Sequence, residues 1–353
     1  MKSMKNLITK FDISIKEAFQ IISKTGVKCL VIAKENGKLL GTLSDGDIRN
    51  AILRGSNVSN SIEKIFNPKP ITLYKGNYSI SEAKRIFLEN KFDIIPILNR
   101  KGKVVDILSW DKVFNNGEDR KRNKLGVPVV IMAGGMGTRL EPFTKVLPKS
   151  LVPIQEKPII EHIIERFTTS GCNDFYLTVN YKGRILKAYF EELQPDYKIN
   201  FVDELQPHGT AGSLRFLEGQ LNQPFFVTNC DILIKADYAS LYEFHQKGGH
   251  DVTLVASAKE YIIPYGTCLL NEDGSLSHIN EKPHYDFLIN TGLYVMNPNV
   301  LKLIPKNQFY HITHMIEDVK KQGKKIGVFP IDDEAWIDVG QWAEYQQAVE
   351  RLK

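Results

Sequence analysis

A glycine-rich turn between an apolar run and two basic residues constrains this chain most. Residues 129–131, Val-Val-Ile, are apolar and β-branched, which is typical of the start of a buried parallel strand. The run leads into Gly-Gly-Met-Gly, residues 134–137, where glycine permits backbone angles closed to other residues and lets a ligand approach the main chain. Arg139 and Lys149 follow. Since turn N–H groups and cations together hold phosphates, the stretch predicts a polyphosphate site.

The spacing of this turn excludes two other phosphate-binding loops. A P-loop requires Gly-Lys followed by Ser or Thr, which does not occur in the chain. The dinucleotide fingerprint G-x-G-x-x-G requires a third glycine where this chain has Leu140. The stretch instead resembles the signature of the sugar-1-phosphate nucleotidyltransferases, in which G-G-x-G-T-R-L and a following P-K-x-L-x-P-I mark the NTP site. Residues 134–140 and 148–154 match these two motifs.

This resemblance implies roles for individual residues of the stretch. Arg139 would stabilise the departing pyrophosphate, and Lys149 would neutralise the charge around the reacting α-phosphate. The residues that the resemblance assigns to the nucleotide phosphates are Ala133, Gly134, Gly135, Gly137 and Thr138.

A second small-residue turn resembles the part of the family's site that lies beside the nucleobase. Residues 209–212 read Gly-Thr-Ala-Gly, which implies nucleotide contacts from Gly209, Thr210 and Ala211. Glu204 resembles the base-contacting position. A carboxylate there can accept from the N1–H and the exocyclic amine of guanine, which favours GTP over UTP and dTTP. The alternative for Glu204 is a solvated acid at the end of a strand.

Two aspartates resemble the family's metal ligands. Asp231 follows the apolar residues 225–227, and Asp338 lies in Trp-Ile-Asp-Val-Gly, residues 336–340. Hard cations prefer oxygen ligands and keep waters and substrate phosphates as further ligands. The resemblance therefore implies Mg²⁺ bound by Asp231 and Asp338, with Asp231 also counted as catalytic. The alternative for Asp231 is a helix N-cap.

Three short motifs resemble the family's sugar-phosphate pocket and occur in the family's order. They are Tyr-Gly at 265–266, Glu-Lys-Pro at 281–283 and Asn-Thr-Gly at 290–292. Lys282 would contact the phosphate of the sugar and count among the catalytic residues. The implied sugar contacts are Tyr265, Gly266, Glu281, Asn290 and Thr291.

Strands alternate with helices between residues 129 and 202. Helical periodicity over 158–170 and 182–193 separates strands expected at 174–179 and 199–202. This alternation predicts an α/β fold with a Rossmann-like, mostly parallel sheet that binds ligands at the carboxyl ends of its strands.

Residues 1 to about 115 contain an internal repeat at an offset of 65 positions. Ser-Ile-Lys-Glu-Ala at 14–18 corresponds to Ser-Ile-Ser-Glu-Ala at 79–83. Each copy predicts a helix, a strand (29–33 or 94–98), a Gly-Lys turn, a second strand and another helix. Two copies suggest half-modules that cover each other's apolar faces. This half resembles a tandem CBS-domain pair, an α+β module that commonly binds adenine nucleotides.

The resemblance implies at most one conventional nucleotide site in this pair. In copy one, Ser44 and Asp47 follow the second strand, where Asp47 would hold a ribose. Copy two differs, because Asp106 corresponds to Gly41 and Lys112 corresponds to Asp47. The alternative is that the pair serves only as an oligomerisation scaffold.

Composition and patterning set the expected organisation. We expect the CBS pair at residues 1–118, a charged linker at 119–127 and the nucleotidyltransferase domain at 128–353. The net charge of +5 requires no nucleic-acid partner. The four cysteines lie far apart without C-x-x-C, which favours reduced thiols. Since no signal-peptide core or membrane-length apolar run occurs, we expect a cytoplasmic protein that is not bound to a membrane. The resemblance to CBS pairs, which usually self-associate, implies a homo-oligomer.

These patterns together predict an enzyme similar to mannose-1-phosphate guanylyltransferases. It would convert GTP and a sugar 1-phosphate to a GDP-sugar and pyrophosphate, supplying activated sugar for surface glycans. A uridylyl- or thymidylyltransferase is the alternative within the class. A nucleotide-sensing regulatory protein on an inactive transferase fold is the alternative from another class, although the five charged site residues are all present. The motifs do not identify the sugar.

Overall fold

The computed structural model describes residues 4–90, 92–114 and 125–351, and its internal contacts divide the chain into two compact units. Unit 1 consists of Met1–Arg120, Ser257–Ile289 and Asp332–Glu334, and unit 2 consists of Lys121–Ala256, Asn290–Ile331 and Ala335–Lys353. Residues 119–124 of the expected linker lie outside the described residues. Unit 1 therefore contains segments from the C-terminal half of the chain as well as the repeated N-terminal half.

The elements of the N-terminal half repeat at the predicted offset. The helices are α1 (Ile15–Thr25), α2 (Asp45–Leu53), α3 (Ile80–Asn90) and α4 (Trp110–Phe114). The strands are β1 (Ile8–Thr9), β2 (Cys29–Ala33), β3 (Leu39–Ser44), β4 (Leu73–Tyr74), β5 (Ile94–Leu98) and β6 (Val104–Ser109). From β1 to β3, each element begins and ends 65 residues before its counterpart. The structure confirms the repeat.

The two copies cover each other's apolar surfaces, as predicted. They form sheets with strand orders β1-β2-β3 and β4-β5-β6. The hairpin turns of the copies pair, since the N–H of Leu39 donates to the carbonyl of Gly102 at 3.1 Å. One hydrophobic cluster takes Leu7 and Val31 from copy one and Ile94 and Ile107 from copy two. Each half therefore completes the core of the other.

The C-terminal half alternates strands and helices. Its helices are α5 (Ile159–Thr168), α6 (Gly183–Leu193), α7 (Gly209–Gly212), α8 (Tyr238–Gly248), α9 (Ile312–Lys321) and α10 (Trp342–Arg351). Its strands are β7 (Val129–Met132), β8 (Pro153–Ile154), β9 (Lys157–Pro158), β10 (Asp174–Val179), β11 (Lys198–Asp203), β12 (Phe225–Asn229), β13 (Ile232–Ile234), β14 (Val252–Ile262), β15 (Thr267–Leu270), β16 (Leu276–Asn280), β17 (His284–Met296), β18 (Ile326–Asp332) and β19 (Trp336–Asp338).

The central sheet has the strand order β11-β10-β7-β12-β17-β14-β18. The pairs β11–β10, β10–β7 and β7–β12 are parallel, and β12–β17 is antiparallel. Helix α5 buries Ile160, Ile163, Ile164 and Phe167, the apolar face that its periodicity predicts. The mixed α/β fold with a mostly parallel, Rossmann-like sheet is confirmed.

Residues 257–289 form the segment that we call the arm. It contains the end of β14, the antiparallel hairpin β15–β16 and the start of β17, and it belongs to unit 1. Most residues of the hairpin are exposed. Among the described helices, none has the length and apolar character needed to cross a membrane.

Candidate active site

Several candidate residues follow the ends of neighbouring parallel strands of unit 2 and therefore lie at one edge of the sheet. Strands β7 and β12, paired at Met132 and Asn229, lead into the glycine turn and into Asp231. Strands β10 and β11 are paired at their last residues, and Glu204 follows β11 directly. Because parallel strands end at the same edge, the phosphate turn, Asp231 and Glu204 lie there together.

Asp231 and Asp338 are brought together by a short pairing of strands. Strands β13 and β19 are antiparallel and place Asp338 opposite Ile232. The N–H of Val339 donates to the carbonyl of Asp231 at 2.8 Å. Two aspartates that are distant in sequence therefore lie at adjacent positions of one ladder.

Gly340 shows that these groups share one small space. A Cβ atom built on Gly340 would lie 2.5 Å from Oδ2 of Asp231, 2.8 Å from Oδ1 of Asp338 and 3.2 Å from Nζ of Lys149. The absence of a side chain at position 340 leaves this space open between the two carboxylates and the ammonium group.

The charges of this cluster are held in a largely buried setting. Lys149 forms an ion pair with Asp231, and both side chains are only 11% exposed. Oδ1 of Asp338 accepts the N–H of Gly340 at 2.7 Å. Burial raises the pKa of Asp338, the Gly340 N–H lowers it, and the charge of Asp231 raises it further. Asp231 does not cap a helix, since Asp237 is the N-cap of α8.

The donor set of this cluster fits a hard divalent cation. Two carboxylates supply oxygen ligands of the kind that Mg²⁺ prefers. Within residues 4–90, 92–114 and 125–351, no group of three or more His, Cys, Asp and Glu side chains is placed to hold a metal. An ion at Asp231 and Asp338 would therefore depend on water and substrate phosphates for its other ligands.

The glycine turn packs against Lys149. Gly137 has a φ of +70°, and an added Cβ would lie 2.9 Å from Cβ of Lys149 and 2.9 Å from Cγ2 of Thr144. The hydroxyl of Thr144 donates to the carbonyl of Gly137 at 2.9 Å. Arg139 lies exposed in the next turn, which the buried Leu140 anchors. Only glycine fits at position 137, because both the space and the backbone angle exclude a side chain.

Glu204 lies directly against the same turn. A Cβ on Gly134 would lie 2.7 Å from Oε1 of Glu204. Oε2 of Glu204 accepts the N–H of His208 at 3.4 Å. Burial raises the pKa of Glu204, and the His208 N–H partly offsets this. Glu204 is only 9% exposed, so the alternative of a solvated acid is wrong.

The second small-residue turn forms helix α7 and packs on residues 310–312. A Cβ on Gly209, whose φ is +77°, would lie 2.7 Å from the carbonyl oxygen of Tyr310. The N–H of Ala211 donates to that oxygen at 2.9 Å, and the hydroxyl of Thr210 accepts the N–H of Ile312 at 2.9 Å. Nucleotide contacts from these residues stay a prediction.

Four of the predicted sugar-phosphate residues lie together in unit 1. Strands β15 and β16 pair Thr267 with Asn280, so the residues that flank this pair are neighbours. A Cβ on Gly266 would lie 3.0 Å from Oε2 of Glu281. Tyr265 is 74% exposed, and Lys282 follows Glu281 with a left-handed φ of +45°.

The other two predicted sugar residues lie in unit 2. The side-chain amide of Asn290 donates to the hydroxyl of Tyr294 at 2.8 Å. Thr291 is 2% exposed, and its hydroxyl donates to the carbonyl of Val255 at 2.9 Å, inside the sheet. Sugar contacts from Asn290 and Thr291 stay a prediction.

Sequence reasoning misses several residues that the structure places at this edge. They include Thr144 beside Gly137, His208 beside Glu204, and Asn229, whose amide would lie 2.6 Å from a Cβ on Gly292. Asn229 lies two residues before Asp231 and could have been found from the Asn-Cys-Asp sequence. Thr144 and His208 carry no such signal, because their roles depend on packing.

Unit 1 contains a cavity of about 380 Å³ between the two CBS copies. Its lining includes Ser44, Asp47 and Cys29 from copy one and Asp93 from copy two. Oδ2 of Asp47 accepts the N–H of Ser44 at 2.8 Å and its hydroxyl at 2.6 Å. Burial raises the pKa of the Cys29 thiol to about 12, and the charges of Asp93 and Asp47 act in the same direction. The thiol is therefore protonated at neutral pH.

The corresponding positions of copy two are occupied by a pair of its own side chains. Nζ of Lys112, the counterpart of Asp47, lies 3.2 Å from Oδ1 of Asp106 and donates to the carbonyl of Ile107 at 2.9 Å. Copy two thus places an ammonium group where copy one offers a carboxylate.

Comparisons with known proteins identify relatives of both halves of the chain. Residues 5–54 and 62–117 each match the CBS domain. Mannose-1-phosphate guanyltransferase of Pichia angusta is 36% identical over 222 residues, which is 60% of this chain and 60% of that protein. The protein of the same name from Yarrowia lipolytica is 35% identical over 223 residues, again 60% of each. This chain thus spans about 60% of the length of these curated relatives.

A solved structure extends the comparison to the fold. The crystal structure of HddC from Yersinia pseudotuberculosis has a TM-score of 0.51 and 26% identity, covering 64% of this chain and 100% of HddC. Residues 128–353, more than half of the chain, match the nucleotidyl transferase family. The chain therefore belongs to the nucleotidyl transferase family and carries CBS domains ahead of the matching region.

Proposed function

We propose that this chain is a sugar-1-phosphate guanylyltransferase, which converts GTP and a sugar 1-phosphate to a GDP-sugar and pyrophosphate. The observation that carries the proposal is the shared space of Lys149, Asp231 and Asp338 around Gly340, at the sheet edge where the glycine turn begins. The names of the curated relatives support guanine as the base and mannose 1-phosphate as the first sugar phosphate to test.

The proposed reaction needs no covalent enzyme intermediate. A phosphate oxygen of the sugar 1-phosphate attacks the α-phosphorus of GTP, and the bond from that phosphorus to the bridging oxygen of the β-phosphate breaks to release pyrophosphate. Catalysis is then positioning and charge neutralisation. In this scheme Arg139 stabilises the departing pyrophosphate, Lys149 neutralises the α-phosphate region and Lys282 binds the incoming phosphate.

Nucleotidyltransferases of this family generally use a divalent metal ion. We assign Mg²⁺ as the ion and Asp231 and Asp338 as its ligands. The ion would supply positive charge to the reacting phosphates. The ion pair with Asp231 holds the Lys149 ammonium in the space beside Gly340, where this scheme requires its charge.

An activity matrix tests the proposed function. Pyrophosphate release is measured with GTP, UTP, dTTP and CTP, each combined with mannose 1-phosphate, glucose 1-phosphate and glucosamine 1-phosphate. We expect GTP to give the fastest turnover. The fastest turnover with UTP or dTTP would favour the uridylyl- or thymidylyltransferase alternative. If no combination of NTP and sugar 1-phosphate releases pyrophosphate in the presence of Mg²⁺, a regulatory protein on an inactive transferase fold is favoured.

The choice of guanine rests on Glu204 and has its own test. Glu204→Gln keeps the shape but replaces one acceptor by a donor, so we expect KM for GTP to rise about tenfold. The preference for GTP over ITP, which lacks the exocyclic amine, should fall as well. Glu165→Gln is the control, because Glu165 forms an exposed pair with Lys157. An unchanged preference for GTP over ITP would contradict the assignment of Glu204.

We also propose that the cavity of unit 1 takes an adenine nucleotide that regulates the enzyme and that the chain self-associates. Asp47 lines this cavity, where it would accept from ribose hydroxyls, and Asp93 adds a second carboxylate to the lining. The lining has two carboxylates and one ammonium group, that of Lys28, and this balance disfavours a ligand with several phosphates, so AMP is the first nucleotide to test.

A further inference from the structure

The arm is attached to the CBS pair at its base. Its hairpin β15–β16 exposes most of its residues and so has little core of its own. The parts of β14 and β17 that lie in the arm, residues 257–262 and 284–289, connect this hairpin to the rest of the chain. The position of Tyr265, Glu281 and Lys282 therefore depends on the contacts that this base makes within unit 1.

A charged contact joins the base of the arm to helix α1 of the first CBS copy. Nζ of Lys16 lies 3.0 Å from Oε2 of Glu260, and Nδ1 of His284 lies 2.7 Å from Oε1 of the same carboxylate. The side chain of Glu260 is only 9% exposed. Hydrogen bonds from His284 and Lys16 lower the pKa of Glu260, so it is a carboxylate at neutral pH.

Two further contacts bring the arm and the first copy together. The backbone N–H of Val58 donates to Oδ2 of Asp286 at 3.0 Å. Ala258 is buried in the hydrophobic cluster of the first copy, which includes Ile15 and Phe19 of α1. Apolar burial and directional polar contacts thus act at the same place.

Helix α1 also contacts the segment that leads to the second candidate metal ligand. Nε2 of Gln20 donates to Oε1 of Glu334 at 3.2 Å, and Nζ of Lys24 lies 3.4 Å from Oε2 of Glu334. Residues 332–334 belong to unit 1, and β19, which contains Asp338, begins two residues later. One face of α1, at positions 16, 20 and 24, therefore contacts two segments of the transferase region.

We propose that helix α1 of the first CBS copy positions the arm for the sugar 1-phosphate, with Lys16 and Glu260 as positioning residues. The inference rests on the proposed function, because it takes Glu281 and Lys282 as contacts of the sugar and its phosphate. The CBS pair is then part of the sugar-phosphate binding machinery as well as a nucleotide module. Loosening the base of the arm weakens sugar-phosphate binding and leaves the GTP residues of unit 2 unaltered.

The test is a comparison of two KM values in the full chain. Lys16→Met removes the charge and keeps the length of the side chain. We expect KM for mannose 1-phosphate, or for the best sugar 1-phosphate of the activity matrix, to rise about threefold to tenfold. KM for GTP should stay within about twofold. Lys16→Arg keeps the charge, so its KM for the sugar phosphate should equal that of the unaltered chain.

The matched control is Lys10→Met. Lys10 lies in the same copy and pairs with Glu35 at 2.7 Å, and both side chains are exposed. This control should change neither KM. An unchanged KM for the sugar phosphate in Lys16→Met, or an equal rise in both KM values, would overturn the proposal. Glu260→Gln provides a second variant with the same expected split if Lys16→Met does not fold.

Hydrogen exchange separates this inference from the proposed function. Peptides that cover residues 257–262 and 284–289 should exchange faster in Lys16→Met than in Lys10→Met, whether or not the enzyme turns over the chosen substrates. Faster exchange without transferase activity in the unaltered chain would mean that the attachment is present and the proposed function is wrong. Equal exchange in the two variants would overturn the attachment itself.

Discussion

Gly340 leaves the space in which the three charged groups of the site meet, so a methyl group there is a direct test of that geometry. We expect Gly340→Ala to lower kcat/KM about 100-fold, because its Cβ would lie 2.5 Å from Oδ2 of Asp231 and 2.8 Å from Oδ1 of Asp338. Pyrophosphate release with GTP and a sugar 1-phosphate measures the effect, and the unfolding temperature shows that the variant is folded.

Gly46→Ala is the control for this substitution. A Cβ on Gly46 would lie 3.6 Å from the hydroxyl of Ser44, which is an ordinary contact. Activity should therefore match that of the unaltered chain. Gly340→Ala with activity within threefold of the unaltered chain would mean that catalysis does not need the space between Asp231, Asp338 and Lys149.

At the scale of single residues, sequence reasoning locates motifs but not the reasons for their spacing. The W-x-D-x-G pattern identifies Asp338 and contains Gly340, yet the closeness of Lys149 to the space that a Cβ on Gly340 would occupy appears only once the chain is folded. The same holds for Gly134, where a side chain would not fit because Glu204 occupies the space that its Cβ would need. Long-range packing decides both, and no local spacing reports it.

At the scale of elements, the prediction is accurate where periodicity is strong. Strand β10 has the predicted bounds, and α5 and α6 begin and end within two residues of theirs. Strand β14, Val252–Ile262, shows where periodicity is less informative, because this strand continues from the central sheet into the arm. Its residues change there from buried to exposed, so the apolar run that marks a core strand ends before the strand does.

Strand β18 ends in a buried carboxylate that should make stability depend on pH. Asp332 is 3% exposed, and its Oδ1 accepts the N–H of Glu334 at 3.0 Å. Burial, and then the charge of Asp333, raises the pKa of Asp332 to about 7. A raised pKa in the folded state stabilises the protein at low pH, and this contribution is lost as pH rises from about 4 to about 7.

Asp332→Asn removes this titration while keeping an oxygen acceptor for the Glu334 N–H. We expect the variant to be more stable than the unaltered chain at pH 8, by up to about 4 kcal/mol, and the difference to shrink toward pH 5. Unfolding temperatures at pH 5, 7 and 8 measure it. The control Asp273→Asn changes an exposed turn and should follow the unaltered chain. A constant difference across these pH values would contradict the assignment to Asp332.

At the scale of the whole molecule, the repeat is predictable from sequence and the grouping of segments is not. The offset of 65 is visible because each copy forms the same local structure. That residues 257–289 group with the N-terminal half depends on contacts such as Lys16 with Glu260, which join positions far apart in the chain. No periodicity or motif encodes such a pair.

The two CBS copies should differ in nucleotide binding. We expect calorimetry to show one AMP bound per chain, since copy one offers Asp47 in the cavity and copy two places Lys112 against Asp106 at the equivalent position. ATP should bind more weakly, because the carboxylates of Asp47 and Asp93 outnumber the ammonium group of Lys28 in the lining and repel additional phosphates. AMP should also change the rate of pyrophosphate release.

Asp47→Asn should weaken AMP binding at least about tenfold, because an amide is a poorer acceptor for two ribose hydroxyls than a carboxylate. Asp106→Asn is the control and should bind AMP as the unaltered chain does, since Asp106 pairs with Lys112 in copy two. An equal loss of AMP affinity in both variants would mean that the substitutions act by destabilising the CBS pair rather than by removing a contact from Asp47. If the unaltered chain does not bind AMP, the proposed nucleotide site is wrong. Attachment of the arm is then the role of the CBS pair, and the contacts of α1 support that role.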